Sequence, residues 1–549
     1  MNTGGQREPW FRRPASEPFI LSRMAFSSGT TFHSMACFPW TVESWNSLWV
    51  YGYPSTNPEL RAKWDTMIQQ WIGTIAVGGH GSFYILPKLG TAKPLHVLLP
   101  DCDLDVQNIA WAIKSNDPAK PLLVLTVASV IVIFDVTSGS IVGRLRGHGG
   151  PITSLAVHPS QPHLFCTTSR DFTARIYDLS LQPVQSPNNP CWLPNTTPSL
   201  AGPAHGLHMN ESEGEGIGQC VAVMVGGRSG GHQGPVLCCA FHPSQPLIAT
   251  GGMDRAVKIW RIPPSVFDPP KNPQMAREDK PLFSTDLLHK ARVWAVNWLA
   301  DDILASCSAP ALMRRTPDEP EDTYWEDGTV VVWQWLGFNR FFPPDKIPQK
   351  VMRGTASDWR NSESFKTLAA YHLPTIVRNV HIHRSLTHDP MLLIPIGKTI
   401  RIFNISLFKP RAPPRFPLDD LSLMLTTQMT LGDDNLHGPA PGSPAHESTT
   451  TKDVDVGGDG ASTHAGDGDG ERQPNARNSP AKYPPPAPLD ALFESVEGWE
   501  VTTELQRREG PAELPDITMC AMGFEGLRIV GIGQNGTLFV WKLREQFLS

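Results

Sequence analysis

GHGGPITSLAVHPSQPHLFCTTSRDFTARIYD (residues 147–178) and GHQGPVLCCAFHPSQPLIATGGMDRAVKIWR (residues 231–261) are one pattern written twice. Each begins at Gly-His and runs through an apolar segment to a His-Pro turn. A second apolar segment then leads to a tight turn closed by Asp171 or Asp254. Each copy ends in an alternating strand at Tyr177-Asp178 or Trp260-Arg261. Apolar runs of this length between turn signals read as short strands of one antiparallel sheet. Such a sheet has two apolar faces and cannot cover both alone, so copies must stack radially.

The spacing is that of the WD40 blade. In such blades a His, a turn Asp, a Ser or Thr and a strand Trp form a buried hydrogen-bonded chain that ties turn to strand. A buried polar group left unpaired costs about 1–3 kcal/mol, so the chain must be closed. The residues read for it are His148, Ser169, Asp171 and Tyr177 in the first copy. In the second they are His232, Asp254 and Trp260, with Gly252 where the hydroxyl is expected, so neither chain reads as ideal. These residues are assigned to the fold and not to catalysis.

The chain has 549 residues, whereas a seven-bladed ring needs roughly 300 at about 40–45 per blade. The surplus is expected in insertions and tails, which the 46 glycines and 53 prolines suit. A net charge of −6 without a basic stripe argues against direct nucleic-acid binding. The nine cysteines include no C-x-x-C, and Cys238-Cys239 lie in an apolar strand pattern, so they read as buried thiols of a reducing compartment. The most membrane-like run, residues 122–134, is too short to span a bilayer and reads as strand, turn, strand. No membrane association and no signal peptide are expected.

Weaker copies bring the count to seven: residues 71–86, 108–135, the two clear repeats, 292–333, 377–404 and 517–541. The fold class is therefore all-β, a seven-bladed WD40 β-propeller over residues 31–545 with disordered loop insertions. Residues 1–30 are expected to be a flexible N-terminal tail, although ring closure requires an outer strand from the N-terminal part. Insertions are expected at 181–219, at the acidic 309–327 and at the Gly/Asp/Pro-rich 416–490. The last has no D-x-D-x-D-G loop ending in Glu, so calcium is not expected and a solvated disordered loop is.

Three phrases narrow the reading: GGMDRAVKIWR (251–261), FSTDLLH (283–289) and VNWLADDIL (296–304). In that order they resemble the EED/extra-sex-combs family, the WD40 subunit of Polycomb repressive complex 2. The similarity also covers residues 223–232 and Ala110-Trp111, and after the long insertion it resumes at 501–505 and 540–544. The resemblance implies a non-enzymatic scaffold that binds an N-terminal segment of a SET-domain methyltransferase. It implies a nuclear protein needed for histone H3 lysine methylation, transcription repression and gene silencing. It also implies an aromatic cage for trimethyl-lysine at the propeller mouth, where a quaternary ammonium needs several aromatic faces.

The chain departs from the family at that cage. The family's aromatic positions fall on Gln107, on Arg378 and Asn379, and near Ser34, with Phe32 the nearest ring. A guanidinium repels a methylammonium and Gln offers no π face, so the cage reads as lost and histone H3 tail binding as weak.

His381, His383 and His388 lack a fourth ligand at metal spacing, and no metal or cofactor is expected. The G-x-S-x-G letters around Ser229 lead into a blade and not a helix, so no nucleophile elbow and no enzyme is expected. The competing reading is an unrelated WD40 adaptor, such as a ubiquitin-ligase substrate receptor. The phrases at 251–261 and 283–289 favour the first.

Overall fold

A computed structural model describes residues 9–12, 17–26, 31–48, 58–88, 93–100, 103–114, 117–185, 212–226, 230–268, 275–314, 323–344, 354–373, 377, 379–385, 388–408, 497–503 and 514–547. The insertion at 416–490, Arg378 and Ser229 lie outside them.

Apolar runs separated by turns give seven sheets of four or five strands, plus one two-stranded hairpin, among the described residues. The innermost strands, one per blade in chain order, are Ser34–Cys37, Val106–Lys114, Ile152–Val157, Val236–Phe241, Val293–Trp298, His381–His383 and Ile517–Gly523. Each continues outward through antiparallel neighbours, except that Ala276–Glu278 adds to the third blade parallel to Gln219–Met224. The run at 122–134 is the expected hairpin, with Val127 facing Val130 across the turn.

Alternation along each strand gives every blade two apolar faces. Cys238 points into the core shared with the fifth blade, and the adjacent Cys239 into the core shared with the third. Each neighbouring pair of blades buries its own cluster. Between blades two and three it holds Ile133, Leu145, Phe165 and Tyr177. Between five and six it holds Val330, Val332, Ile382 and Leu392. The last, between blades seven and one, packs Val530 and Ile532 against Ile75 and Val77.

The ring closes through the N-terminal segment. Phe19–Phe26 pairs antiparallel with Thr537–Leu543, from Phe19 opposite Leu543 to Phe26 opposite Thr537. Trp10 is buried against Phe19 at 5.1 Å and Trp499 at 5.5 Å between ring centroids. The expectation of a flexible tail through residue 30 is therefore corrected: its apolar residues complete the seventh blade.

Two other expectations change. In 181–219, Gly214–Gly216 adds a fifth strand to the second blade, and Gln219 opens the outer strand of the third. A Cβ at Gly216, at φ +82°, would overlap the Val142 carbonyl oxygen, so glycine is required there. The acidic 309–327 segment is not simply a loop: Ala311–Arg314 pairs with Thr323–Glu326. The sequence reading also missed a helix, Pro58–Trp71, which buries Trp64, Met67 and Ile68 in the core between blades one and two.

Deleting residues 1–26 exposes the Thr537–Leu543 edge and opens the ring. We expect loss of a single cooperative thermal transition together with aggregation, read by calorimetry and light scattering.

Candidate functional site

The strongest sequence signals are the His and Asp of the repeats, and the structure shows what they do. In the fourth blade Asp254 accepts from His232 Nδ1 at 3.0 Å. His232 Nε2 meets the Thr250 hydroxyl at 2.8 Å, and Trp260 Nε1 donates to the same hydroxyl at 2.8 Å. The chain is complete. Its hydroxyl comes from Thr250 and not from position 252, because the imidazole width carries Nε2 two residues further into the strand.

The same offset holds in the third blade. His148 Nδ1 bonds Asp171 at 2.9 Å and Nε2 bonds Thr167 at 2.8 Å. Ser169 instead donates to the Gly150 and Pro151 carbonyls and accepts from the Asp171 amide. Tyr177 stacks on Phe165 at 5.1 Å, and its hydroxyl has no hydrogen-bond partner among the described residues. Ser169 and Tyr177 therefore stand outside the chain they were assigned to. The fifth blade holds a set that the repeat pattern did not assign: His289 Nε2 to Ser306 at 2.7 Å, and Trp333 Nε1 to Ser306 at 3.0 Å.

Burial works against the Asp171 and Asp254 carboxylates. The facing histidines and further donors outweigh it and hold both well below the usual carboxylate range. Burial alone pushes His289 down to about 3. These groups are inaccessible and committed to one another, so they lock turns and offer no chemistry to a substrate.

The accessible site is the channel mouth, where the innermost strands of blades two to six begin. A cavity of about 830 Å³ lies there, lined by Asp105, Gln107, Arg170, Arg292, Trp294 and Asn379 among others. Gln107 and Asn379 both line this cavity. Ser34 and Phe32 are not among the lining residues: Ser34 is buried and donates to the Val106 carbonyl at 2.8 Å. Phe32 is buried against Tyr84, with ring centroids 5.7 Å apart. Trp294 is the one aromatic side chain among the described lining residues, from a position the sequence reading did not single out.

Asp105, the one acidic lining residue, is engaged by His80 Nδ1 at 2.9 Å and His33 Nε2 at 3.4 Å. Asp105 and then Asp103 raise the His80 pKa. Arg170 and Arg292 are exposed and make no ion pair or side-chain hydrogen bond among the described residues.

The histidines at 381, 383 and 388 lie at the sixth blade, with the His383 and His388 rings 5.3 Å apart. No group of three or more His, Cys, Asp or Glu able to hold a metal is found among the described residues.

This ring of sheets with its turn-locking histidines defines a WD40 β-propeller, and the WD domain, G-beta repeat family matches residues 139–178 and 218–261. Within that class the chain is similar to proteins of the EED/extra-sex-combs family. It is similar to Polycomb protein EED of Chaetomium thermophilum, 24% identical over 48% of this chain and 36% of that protein. It is similar to Polycomb group protein FIE1 of Zea mays, 26% identical over 43% of this chain and 44% of that protein. The matched parts span less than half of these two relatives. Among solved structures, a humanized mutant of the Chaetomium thermophilum Polycomb Repressive Complex 2 bound to the inhibitor GSK126 contains a chain of the same fold. Its TM-score is 0.53 at 16% identity, covering 96% of this chain and 98% of that one.

Two measurements test the locks. Thr250→Val strands His232 and Trp260 at once, and we expect about 2–3 kcal/mol loss in urea unfolding at neutral pH. The unfolded chain protonates histidine near pH 6.5, whereas folded His289 resists to about 3. The unfolded state binds more protons between those values, so stability falls as pH falls through that window. A slope of about 1.4 kcal/mol per pH unit is expected from this residue below pH 6, and it should disappear from the pH dependence of His289→Asn.

Proposed function

We propose that this protein is a non-catalytic scaffold subunit of a Polycomb-type histone H3 lysine methyltransferase complex. It binds the SET-domain catalytic subunit, acts in the nucleus and supports gene silencing. The observation that carries this reading is the similarity to Polycomb proteins, whose phrases lie on the ring itself. GGMDRAVKIWR supplies the end of one strand, the turn Asp254 and the next strand of the fourth blade. FSTDLLH supplies that blade's outer strand, Phe283–Thr285, and the His289 lock. The net charge of −6 supports a chromatin association made through the complex and not through the chain's own contact with DNA.

The mark-reading part of the family's role is absent from this reading. Gln107 and Asn379 stand at the mouth where aromatic faces would be needed. An aromatic contact contributes about 0.5–2 kcal/mol to holding a methylammonium, so losing two or three weakens binding by an order of magnitude or more.

The test uses the tagged full chain. Affinity purification should recover a SET-domain methyltransferase, and deletion of the gene should abolish methylation of the target H3 lysine on immunoblots. Calorimetry of the isolated protein should find no preference for a trimethylated H3 peptide over the unmodified one. Recovery of ubiquitin-ligase subunits with H3 methylation intact would replace this reading with the adaptor reading. A clear preference for the trimethylated peptide would restore the cage.

A further inference from the structure

The channel mouth has a polarity of its own. Its cavity of about 830 Å³ opens between strand starts of five blades and accommodates a few side chains of an extended segment. Two guanidinium groups reach it from different blades. Arg170 sits in the tight turn of the third blade, and Arg292 at the entry to the fifth. Both are exposed, and among the described residues neither has a carboxylate or carbonyl partner on its side chain. The one acidic side chain among the described lining residues, Asp105, is already engaged by His80 at 2.9 Å and lies 3.4 Å from His33. Gln107 and Asn379 add neutral amide donors, and Trp294 adds a half-buried apolar wall.

We propose that the channel mouth binds an acidic peptide segment, with Arg170 and Arg292 receiving its carboxylates and Trp294 packing against its backbone or apolar atoms. Unpaired guanidinium forks in a concave site are matched by carboxylate geometry. A cationic trimethyl-lysine meets two like charges and one indole. A duplex nucleic acid is too wide for the cavity, and its phosphates face a protein of net charge −6. A peptide satisfies both limits: it enters as a single extended strand and brings its negative charge to two points. The inference concerns the isolated chain and stands apart from the methyltransferase association, which is read by co-purification.

The experiment is fluorescence anisotropy with the full chain at low salt and a fluorescein-labelled hexaglutamate peptide. The wild type should bind, and binding should weaken as salt rises. The double variant R170A/R292A should bind about tenfold more weakly, and R170K/R292K, which keeps the charge but loses the fork, should fall between the two. Both positions are exposed, so the variants should melt as the wild type does, which calorimetry checks. Absence of wild-type binding overturns the proposal. So does equal binding by the alanine variant, or tighter binding of a trimethyl-lysine peptide of the same length. Equally tight binding of oligothymidylate of equal charge, with the same loss in the alanine variant, would make the mouth an unselective polyanion site and also overturns it.

Discussion

Every blade of this protein presents two apolar faces, and a four-stranded sheet covers neither by itself. Burial of those faces between neighbours is the constraint on which the rest depends. It explains why apolar residues run continuously along strands such as Val236–Phe241, whose adjacent cysteines enter two different cores. It also explains why the chain folds back on itself at Phe19–Phe26: an open arc would leave the last blade with a bare edge and the first with a bare face.

Within that frame the polar locks do a second job. Apolar stacking is non-directional and leaves turn conformation free. The Asp254, His232, Thr250 and Trp260 chain fixes one turn to one strand through hydrogen bonds that have no competing water. Blades three and five vary the theme, with Tyr177 outside the chain and Ser306 as the shared acceptor. The blades thus differ in how firmly each turn is held, while the ring they form is one.

Much of this was legible in the chain. Seven strand-turn patterns gave the blade number because strand alternation and turn residues are local signals. The hydroxyl positions were misread by two residues, since Thr167 and Ser169 point to the same side of one strand and sequence carries no measure of imidazole reach. The helix at Pro58–Trp71 did leave a trace, apolar residues at 64, 67, 68 and 71 after a Pro at its first position, but it lies ahead of the first strand pattern, in a segment given no element. Gly214–Gly216 left almost none, since three residues of Gly-Glu-Gly have no periodicity. At the mouth, Gln107 and Asn379 were placed by resemblance, whereas Arg170, Arg292 and Trp294 meet only when the blades are assembled.

The closure by Phe19–Phe26 sets an order of events on the ribosome. The strand that seals the ring is made long before its partner, Thr537–Leu543. At roughly 5–20 residues per second, about 500 intervening residues take of order half a minute to two minutes to emerge. Throughout that interval the early strand and the outward face of the first blade wait without their partners. Nascent copies of this chain are therefore exposed to chaperones, and to one another, for as long as translation continues.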